Sequence, residues 1–311
     1  MRTSTLIAIV GWLIALGAAG CAGDPPAPLP STDAGPGIRA PLRVSPAWMP
    51  AGLVERVREL SSPERDADRA SGSNALTRVW LPPAADSDRR ETFVSLRVSD
   101  RGDARSRGEQ VDIGGGISAT VSGDGPGTSV AWMLDGAITV TVFAGGTDPS
   151  QQLGREEALR VARSVRPDAG TAVFPFHIER RTEFRFGDSG GTFIRASGES
   201  ATSWSVEAVM GPDAKNNPRE LQVLLGPATP APAGGTTVPL STDPPGRFVT
   251  NVDQPFYNAW LVREVAPGLL LTVRYWATQE QPPPQAELVK VAERTRVVAR
   301  PDVSWIGTRP A

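Results

Sequence analysis

The side chains that could perform chemistry are few in this sequence. Cys21 is the only cysteine, His177 is the only histidine, and Ser189 stands in a glycine-rich pentapeptide at residues 187–191. A serine becomes a nucleophile when an adjacent base such as histidine takes its proton. One histidine and one cysteine cannot form a structural or catalytic zinc site, which needs three or four ligands. The pair of Ser189 and His177 is therefore the first candidate for a catalytic site.

The pentapeptide GDSGG at residues 187–191 resembles the nucleophile loop of the chymotrypsin-like serine proteases. The resemblance implies that Ser189 attacks the substrate, that neighbouring backbone N–H groups form an oxyanion hole, and that His177 is the general base. In that family the base lies far upstream, with a catalytic aspartate between base and serine, whereas here only Asp188 lies between them. Gly, Asp and Ser are also typical of hairpin loops. We interpret the pentapeptide as a loop and predict no catalytic residues, metal site or cofactor.

Residues 1–20 have the features of an export signal. Arg2 precedes an apolar run at residues 6–16, which is shorter than the roughly 20 residues that span a bilayer. Residues 18–21, AAGC, resemble the lipobox of bacterial lipoproteins, although that family more often has Leu at the position of Ala18. The resemblance implies that the signal peptide is cut just before Cys21 and that the Cys21 sulfur carries diacylglycerol.

A lipid on Cys21 would anchor the protein to the outer face of the cytoplasmic membrane, since two acyl chains give stable anchoring. Cysteine usage agrees, because a lone cysteine cannot form an intramolecular disulfide. The alternative is an ordinary secretory signal that is cut nearby, with Cys21 incidental. Residues 21–40, which comprise the lipidated Cys21 and a segment rich in Pro and Gly, are predicted to be a tether that lifts the folded part off the membrane.

One pattern of elements occurs twice in the chain. Residues 128–166 and 257–298 each contain an Ala-Trp strand, a turn, a β-branched strand, a loop and an amphipathic helix. Trp132 aligns with Trp260, and these two residues are expected to occupy matched core positions. A repeat of this length indicates duplication of a whole domain, because solenoid repeats are about 20–50 residues long. The alternative is two unrelated α+β domains that both end in a hairpin and a helix.

We therefore predict an α+β fold with two tandem repeated domains, each an antiparallel β-sheet with a C-terminal amphipathic helix packed on one face. The domains are expected at residues 41–168 and 171–300, followed by a tail at residues 301–311 whose Trp305 packs back.

Three local features refine this expectation. Apolar residues between Leu53 and Leu60 have helical spacing, but the matching residues 184–186 alternate as in a strand, which favours a strand. Asp148 is expected to cap the first repeated helix. Residues 226–246, rich in Pro and Gly, are predicted to form a long surface loop.

The net charge and the domain architecture favour some functional classes over others. The formal net charge is −2 and no basic tract is present, which disfavours a nucleic-acid partner. The anchor, tether and duplicated domains look like the architecture of exported sensor and carrier lipoproteins. One such group regulates envelope stress by binding partner proteins, and another carries lipid in a cavity between a curved sheet and helices.

We expect a membrane-anchored extracytoplasmic lipoprotein that is not an enzyme and acts as a binding or sensory module for a protein or an envelope component. The alternative is a carrier of lipid or of a small apolar ligand, which would need a large apolar cavity.

Replacing Cys21 tests the anchor directly. In Cys21→Ser we expect loss of the acyl modification and release of the protein from the membrane fraction, because the serine hydroxyl offers no sulfur for the diacylglycerol. Intact-mass spectrometry of protein purified from membranes measures the modification. Ser31→Ala, a change elsewhere in the tether, should keep the lipid mass, and a mature wild-type protein with an unmodified Cys21 would contradict the assignment.

Overall fold

A computed structural model describes residues 37–63, 75–83, 92–100, 108–123, 127–146, 153–178, 191–210, 219–227, 233–241, 244–253, 256–277 and 285–310. The first half of the chain contains β1 (Ile38–Pro46), β2 (Val54–Pro63), β3 (Ala75–Leu81), β4 (Thr92–Ser99), β5 (Glu109–Asp112), β6 (Ser118–Ser122), β7 (Gly127–Leu134), β8 (Ile138–Gly146), α1 (Arg155–Ser164) and β9 (Val165–Phe174).

The second half contains β10 (Phe176–Ile178), β11 (Gly191–Ser200), β12 (Ser203–Met210), β13 (Arg219–Gly226), β14 (Thr236–Val238), β15 (Gly246–Asp253), β16 (Phe256–Ala266), β17 (Leu269–Ala277), α2 (Gln285–Arg294) and β18 (Thr295–Val297).

Fourteen of these strands form one antiparallel sheet, in the order β14-β15-β16-β17-β13-β12-β11-β2-β3-β4-β8-β7-β6-β5. The predicted α+β fold of two domains, each with its own sheet and C-terminal helix, is wrong. The described part of the chain is mostly β, and β2 pairs with β11 from Val57↔Ser197 to Pro63↔Gly191, which joins the two halves at a seam. An unpaired β2 and an unpaired β11 would each expose a row of backbone N–H and C=O groups, and this pairing satisfies both rows.

Strand order is the same on either side of the seam. Outward from it, the first half runs β2-β3-β4-β8-β7-β6-β5 and the second half runs β11-β12-β13-β17-β16-β15-β14. β1 and β9 pair as a separate ribbon in the first half, and β10 and β18 pair correspondingly in the second. The topology therefore repeats within one sheet, while the boundaries at residues 41–168 and 171–300 stay predictions.

Both helices pack on one face of the sheet, which we call the helix face. Ala158, Leu159, Val161 and Ala162 of α1 join the first apolar core, and Leu288, Val291 and Ala292 of α2 join the second. In both helices the buried residues recur at i, i+3 and i+4, which is the spacing of one helical stripe. This amphipathic pattern was visible in the sequence and is confirmed.

The matched core positions predicted for Trp132 and Trp260 are wrong. Trp132 belongs to the core under α1, whereas Trp260 packs with Val249 and Val262 on the opposite face, which we call the open face. Its neighbours Ala259 and Leu261 point to the helix face instead. Successive strand residues alternate between faces, so a shift of one residue between the two copies is enough to place the tryptophan side chain on the opposite face.

The loop between β7 and β8 holds three residues, because Leu134 pairs with Ile138. Asp135 and Gly136 within it adopt positive φ. α1 begins at Arg155, where Gly154 is the N-cap and its N–H donates to the Glu157 carboxylate at 3.1 Å. Asp148, the predicted cap, lies outside the described residues.

The proline-rich segment at residues 226–246 is more than a loop. It contains the edge strand β14, which pairs with β15 through Thr236↔Phe248 and Val238↔Gly246. Val238 is buried and joins the second core. Residues 54–63 form the strand favoured by the repeat, and residues 184–186 lie outside the described part of the chain.

The ribbon of β1 and β9 and the C-terminal tail hold the two halves together on the helix face. Val44 of the ribbon joins the first core, while Leu42 and Phe174 join the second. In the tail, Trp305 and Ile306 pack into the second core. The packing predicted for Trp305 is confirmed.

Beyond the end of its pairing with β11, β2 pairs with this tail. The Glu55 N–H donates to the Thr308 carbonyl and the Gly307 N–H donates to the Glu55 carbonyl, each at 2.8 Å. The tail thus supplies partners for backbone groups of β2 that β11 does not reach.

Trp305→Ala should destabilise the protein by about 3 kcal/mol, because truncating a buried tryptophan removes apolar contacts and leaves a cavity. Denaturant unfolding followed by tryptophan fluorescence or circular dichroism measures the loss. Ile117→Ala is the matched control, since Ile117 is 41% exposed and should change stability by less than about 0.5 kcal/mol. Equal effects of the two substitutions would show that the tail does not contribute to the core.

Candidate functional site

The residues singled out from the sequence are not brought together by the structure. Cys21 and Ser189 lie outside the described residues, so lipidation of Cys21 stays a prediction. His177 lies in β10, where it pairs with Arg296 of β18. Among the described residues, no group of three His, Cys, Asp or Glu side chains could hold a metal ion, and no helix is long and apolar enough to cross a bilayer.

A cleft of about 350 Å³ opens on the helix face where the ribbon, the sheet and the tail meet. Its size falls at the lower end of the range for ligand pockets, about 300–1,000 Å³. The lining residues come from five segments of the chain: Ser45, Pro46, Ala47, Glu55, Arg78, Trp80, Arg166, Pro167, Asp168, Thr308, Arg309 and Pro310. The cleft therefore depends on the positions of the ribbon and the tail over β2 and β3.

Glu55 is a buried charge in this cleft, with only 2% of its side chain exposed. Arg78 donates to both carboxylate oxygens, from Nε to Oε1 at 2.8 Å and from Nη2 to Oε2 at 2.6 Å. Arg58 donates from Nε to Oε1 at 2.7 Å. A carboxylate removed from water is tolerated only when opposite charges and hydrogen bonds compensate it, and two guanidinium groups do so here.

Ser45 on β1 links this ion cluster to Asp168 on β9. Arg78 donates from Nη1 to the Ser45 hydroxyl oxygen at 2.5 Å, and the Ser45 hydroxyl donates to Asp168 Oδ2. The N–H of Gly170 donates to Asp168 Oδ1 at 2.7 Å. A continuous polar chain thus runs from the sheet into the ribbon and fixes the ribbon over the seam.

The two acids remain ionised at neutral pH. Burial raises the pKa of Glu55, but hydrogen bonds and charge from Arg78 and Arg58 lower it by more, so its pKa lies below the ordinary range. The hydrogen bond from Ser45 is the main cause that holds the pKa of Asp168 below its usual value; partial burial opposes it, and the Gly170 N–H and the nearby arginines add to it.

Aromatic rings orient the two arginines. The Arg78 guanidinium lies 4.9 Å from the ring centre of Trp80, and the Arg58 guanidinium lies 4.5 Å from that of Trp305. Cations are attracted to the face of an indole ring, more so where water is excluded. Each arginine is therefore held both by Glu55 and by a ring, which restricts the rotamers available to its side chain.

A second ion cluster lies across the seam on the open face. Arg195 of β11 donates to Glu59 of β2 from Nε at 2.8 Å and from Nη2 at 2.6 Å, and lies 3.7 Å from Glu207. Arg97 lies on β4, two strands away from Glu59. Burial lowers the pKa of Arg97, and the negative charge of Glu59 partly offsets this shift. This cluster joins β2 to β11, whereas the Glu55 cluster joins β2 to β3, and it lies outside the cleft, so we interpret it as structural.

Sequence reasoning missed the Glu55 cluster, although a signal was present. Leu76, Arg78 and Trp80 alternate along β3, so the arginine stands at a position where one face of the strand is otherwise apolar. Glu55 likewise follows the buried Leu53 and Val54. A charge at an apolar position predicts a buried ion pair, but the sequence does not show which acid meets which base.

Comparisons with known proteins give little further guidance. The sequence matches no protein-family profile and no curated protein. Among solved structures, the chain is similar to one titled "Crystal structure of MucB in complex with MucA(peri)". The identity is 11%, the match covers 80% of this chain and 94% of that one, and the TM-score is 0.24. A similarity at this TM-score carries no argument for fold or function.

The depressed pKa of Glu55 predicts a stability loss in acid. Where the folded pKa is lower than the unfolded one, the ionised group adds stability above the unfolded pKa, about 4.3 for Glu, and that stability is lost as pH falls through the folded pKa. Glu55→Gln should weaken this dependence and also lower stability at pH 7 by about 3 kcal/mol, because Arg78 loses its counter-charge.

Urea unfolding between pH 2.5 and 7 checks both effects. Glu109→Gln is the matched control, since Glu109 is 65% exposed in a surface pair with Arg155 and should leave the profile unchanged. A Glu55→Gln profile parallel to that of the wild type would contradict the assignment.

Proposed function

We propose that this chain is an exported, lipid-anchored binding protein that recognises a partner protein at the cleft between the ribbon, the seam and the tail. One observation carries the proposal. The spaces between helices and sheet are filled by packed side chains, while the cleft remains open and its floor holds the hydrogen-bonded Glu55–Arg78 pair. Pre-organised polar groups in a concavity favour recognition, because little conformational freedom is lost on binding.

The packing of the helices disfavours the carrier alternative. A cavity wide enough for an acyl chain would leave accessible surface on the residues that line it, since a water-sized sphere would fit inside. Val161 of α1 and Leu288 and Val291 of α2, which face the sheet, have 0% exposed surface. The complete burial of these residues supports a filled core under each helix, which is expected of a binding module and not of a carrier.

The chemistry of the cleft also favours binding over catalysis. Ser45 is the hydroxyl in the cleft that contacts a carboxylate, and its partner Asp168 has a lowered pKa. A carboxylate with a low pKa is a poor proton acceptor at neutral pH, so it does not activate the serine as a nucleophile. Ser45 already accepts a hydrogen bond from Arg78, which fits a structural role.

Anchorage at Cys21 supports the same proposal. β1 begins at Ile38, and the cleft lies at the other end of that strand, around Ser45–Ala47. Strands rise about 3.3 Å per residue, so the entry of the chain and the cleft lie about 25 Å apart along β1. The proposed lipid would then hold the protein at the membrane from the end of the ribbon remote from the cleft.

Site-directed photocrosslinking in intact cells tests the proposal. A photoreactive amino acid at Ala47, which is exposed at the cleft, should yield one specific protein adduct, whereas the same residue at Ile117, exposed in the β5–β6 turn, should not. Mass spectrometry identifies the adduct. Identical adducts from both positions, or none from Ala47, would overturn the proposal, and a lipid adduct at Ala47 would favour the carrier.

A further inference from the structure

The charges around the cleft do not balance. Glu55 and Asp168 contribute two negative charges, and both are engaged in the hydrogen bonds described above. The lining also carries three arginines, Arg78, Arg166 and Arg309, so its positive charges exceed its negative charges by one. Arg78 is engaged with Glu55 and Ser45, which leaves Arg166 and Arg309 as the cations that could meet a ligand. The overall charge of the chain is −2, so this local excess runs against the average.

Arg166 and Arg309 are both exposed at the rim. Arg166 donates from Nη1 to the carbonyls of Arg163 and Val165, at 2.7 and 2.8 Å, which holds its side chain near the C-terminal end of α1. Arg309 follows the tail residue Thr308, whose carbonyl accepts from Glu55. Within the part of the chain that the structure describes, neither arginine forms an ion pair with a carboxylate.

Two guanidinium groups that line one cleft from different segments suit an oxyanion. Arg166 comes from β9 and Arg309 from the tail, so a ligand between them would touch the ribbon and the tail together. Guanidinium groups bind carboxylates through two parallel N–H···O bonds, which are stronger than bonds between neutral groups. Positive charge in a concavity with low-dielectric walls also concentrates anions there.

We propose that the cleft binds a carboxylate of an acidic peptide segment, an inference that rests on the proposed function and names the chemistry of its partner. A peptide is favoured over a lipid headgroup for two reasons. The volume of about 350 Å³ suits one or two side chains. The cleft also lies at the end of β1 opposite to Ile38, the end at which the chain from Cys21 enters the fold.

The test uses the purified mature chain and a fluorescent acidic hexapeptide, Gly-Asp-Gly-Glu-Gly-Asp, with its Asn/Gln counterpart as the neutral probe. Fluorescence anisotropy should show that the acidic peptide binds about tenfold more tightly than the neutral one and that salt weakens the binding. The double variant Arg166→Gln/Arg309→Gln should lose about tenfold in affinity.

The matched control is Arg39→Gln/Arg300→Gln, which removes the same charge from exposed positions outside the cleft lining. Its affinity should stay within about twofold of the wild type. Equal binding of both peptides, or equal losses in the two double variants, would overturn the inference. One further outcome would overturn the inference and assign the site to a lipid headgroup. In that outcome the wild type binds vesicles that contain anionic phospholipid but does not bind the peptide, and Arg166→Gln/Arg309→Gln no longer binds the vesicles.

The inference and the proposed function can fail separately. If the Ala47 crosslink to a protein persists at full yield in Arg166→Gln/Arg309→Gln, the cleft is the binding site and the carboxylate inference is wrong. If acidic-peptide binding depends on the two arginines but no protein adduct forms at Ala47, the chemistry of the cleft holds and the proposed cellular role fails.

Discussion

The pairing of β2 with β11 is the constraint on which the rest of the structure depends. Each half of the chain alone would end in a strand with unsatisfied backbone groups, and such an edge recruits other strands. Joining the two edges in register converts two seven-stranded arrays into one sheet. The Glu59–Arg195 ion pair lies across this seam, the ribbon and the tail pack on the helix face of the sheet, and the cleft forms where the ribbon and the tail meet.

An ion pair reinforces the seam on the open face, where Glu59 of β2 pairs with Arg195 of β11. On the helix face, Glu55 of β2 pairs with Arg78 of β3 and thereby joins β2 to its other neighbour. Buried ion pairs add little net stability compared with apolar packing, but an unpaired member is costly, so they penalise incorrect pairings. A slip of β2 against β11 by one residue would move Glu59 to the helix face and separate it from Arg195.

The sequence predicted local structure better than long-range structure. Alternation and the internal repeat indicated that residues 54–63 form a strand, and the spacing of apolar residues indicated a buried stripe at residues 155–164. Both patterns depend on residues that are close together in the sequence. The single sheet was not predictable in this way, since nothing in β2 specifies that β11 is its partner. The ion cluster was missed for the same reason: its members lie on β1, β2, β3 and β9 and meet only in the folded chain. Trp260 was misplaced because a one-residue offset reverses the face of a strand residue.

The geometry of the ribbon has a mechanical consequence. Under the proposed anchorage, a partner that pulls away from the membrane would stretch the protein between the start of β1 and the cleft, along the axis of that strand. β1 and β9 are antiparallel, with hydrogen bonds perpendicular to their length. Tension along β1 would load these bonds in shear, so that many must break together, whereas tension across the ribbon would peel them apart one by one. Under the proposed anchorage, the ribbon would therefore resist tension along β1 more strongly than tension across it.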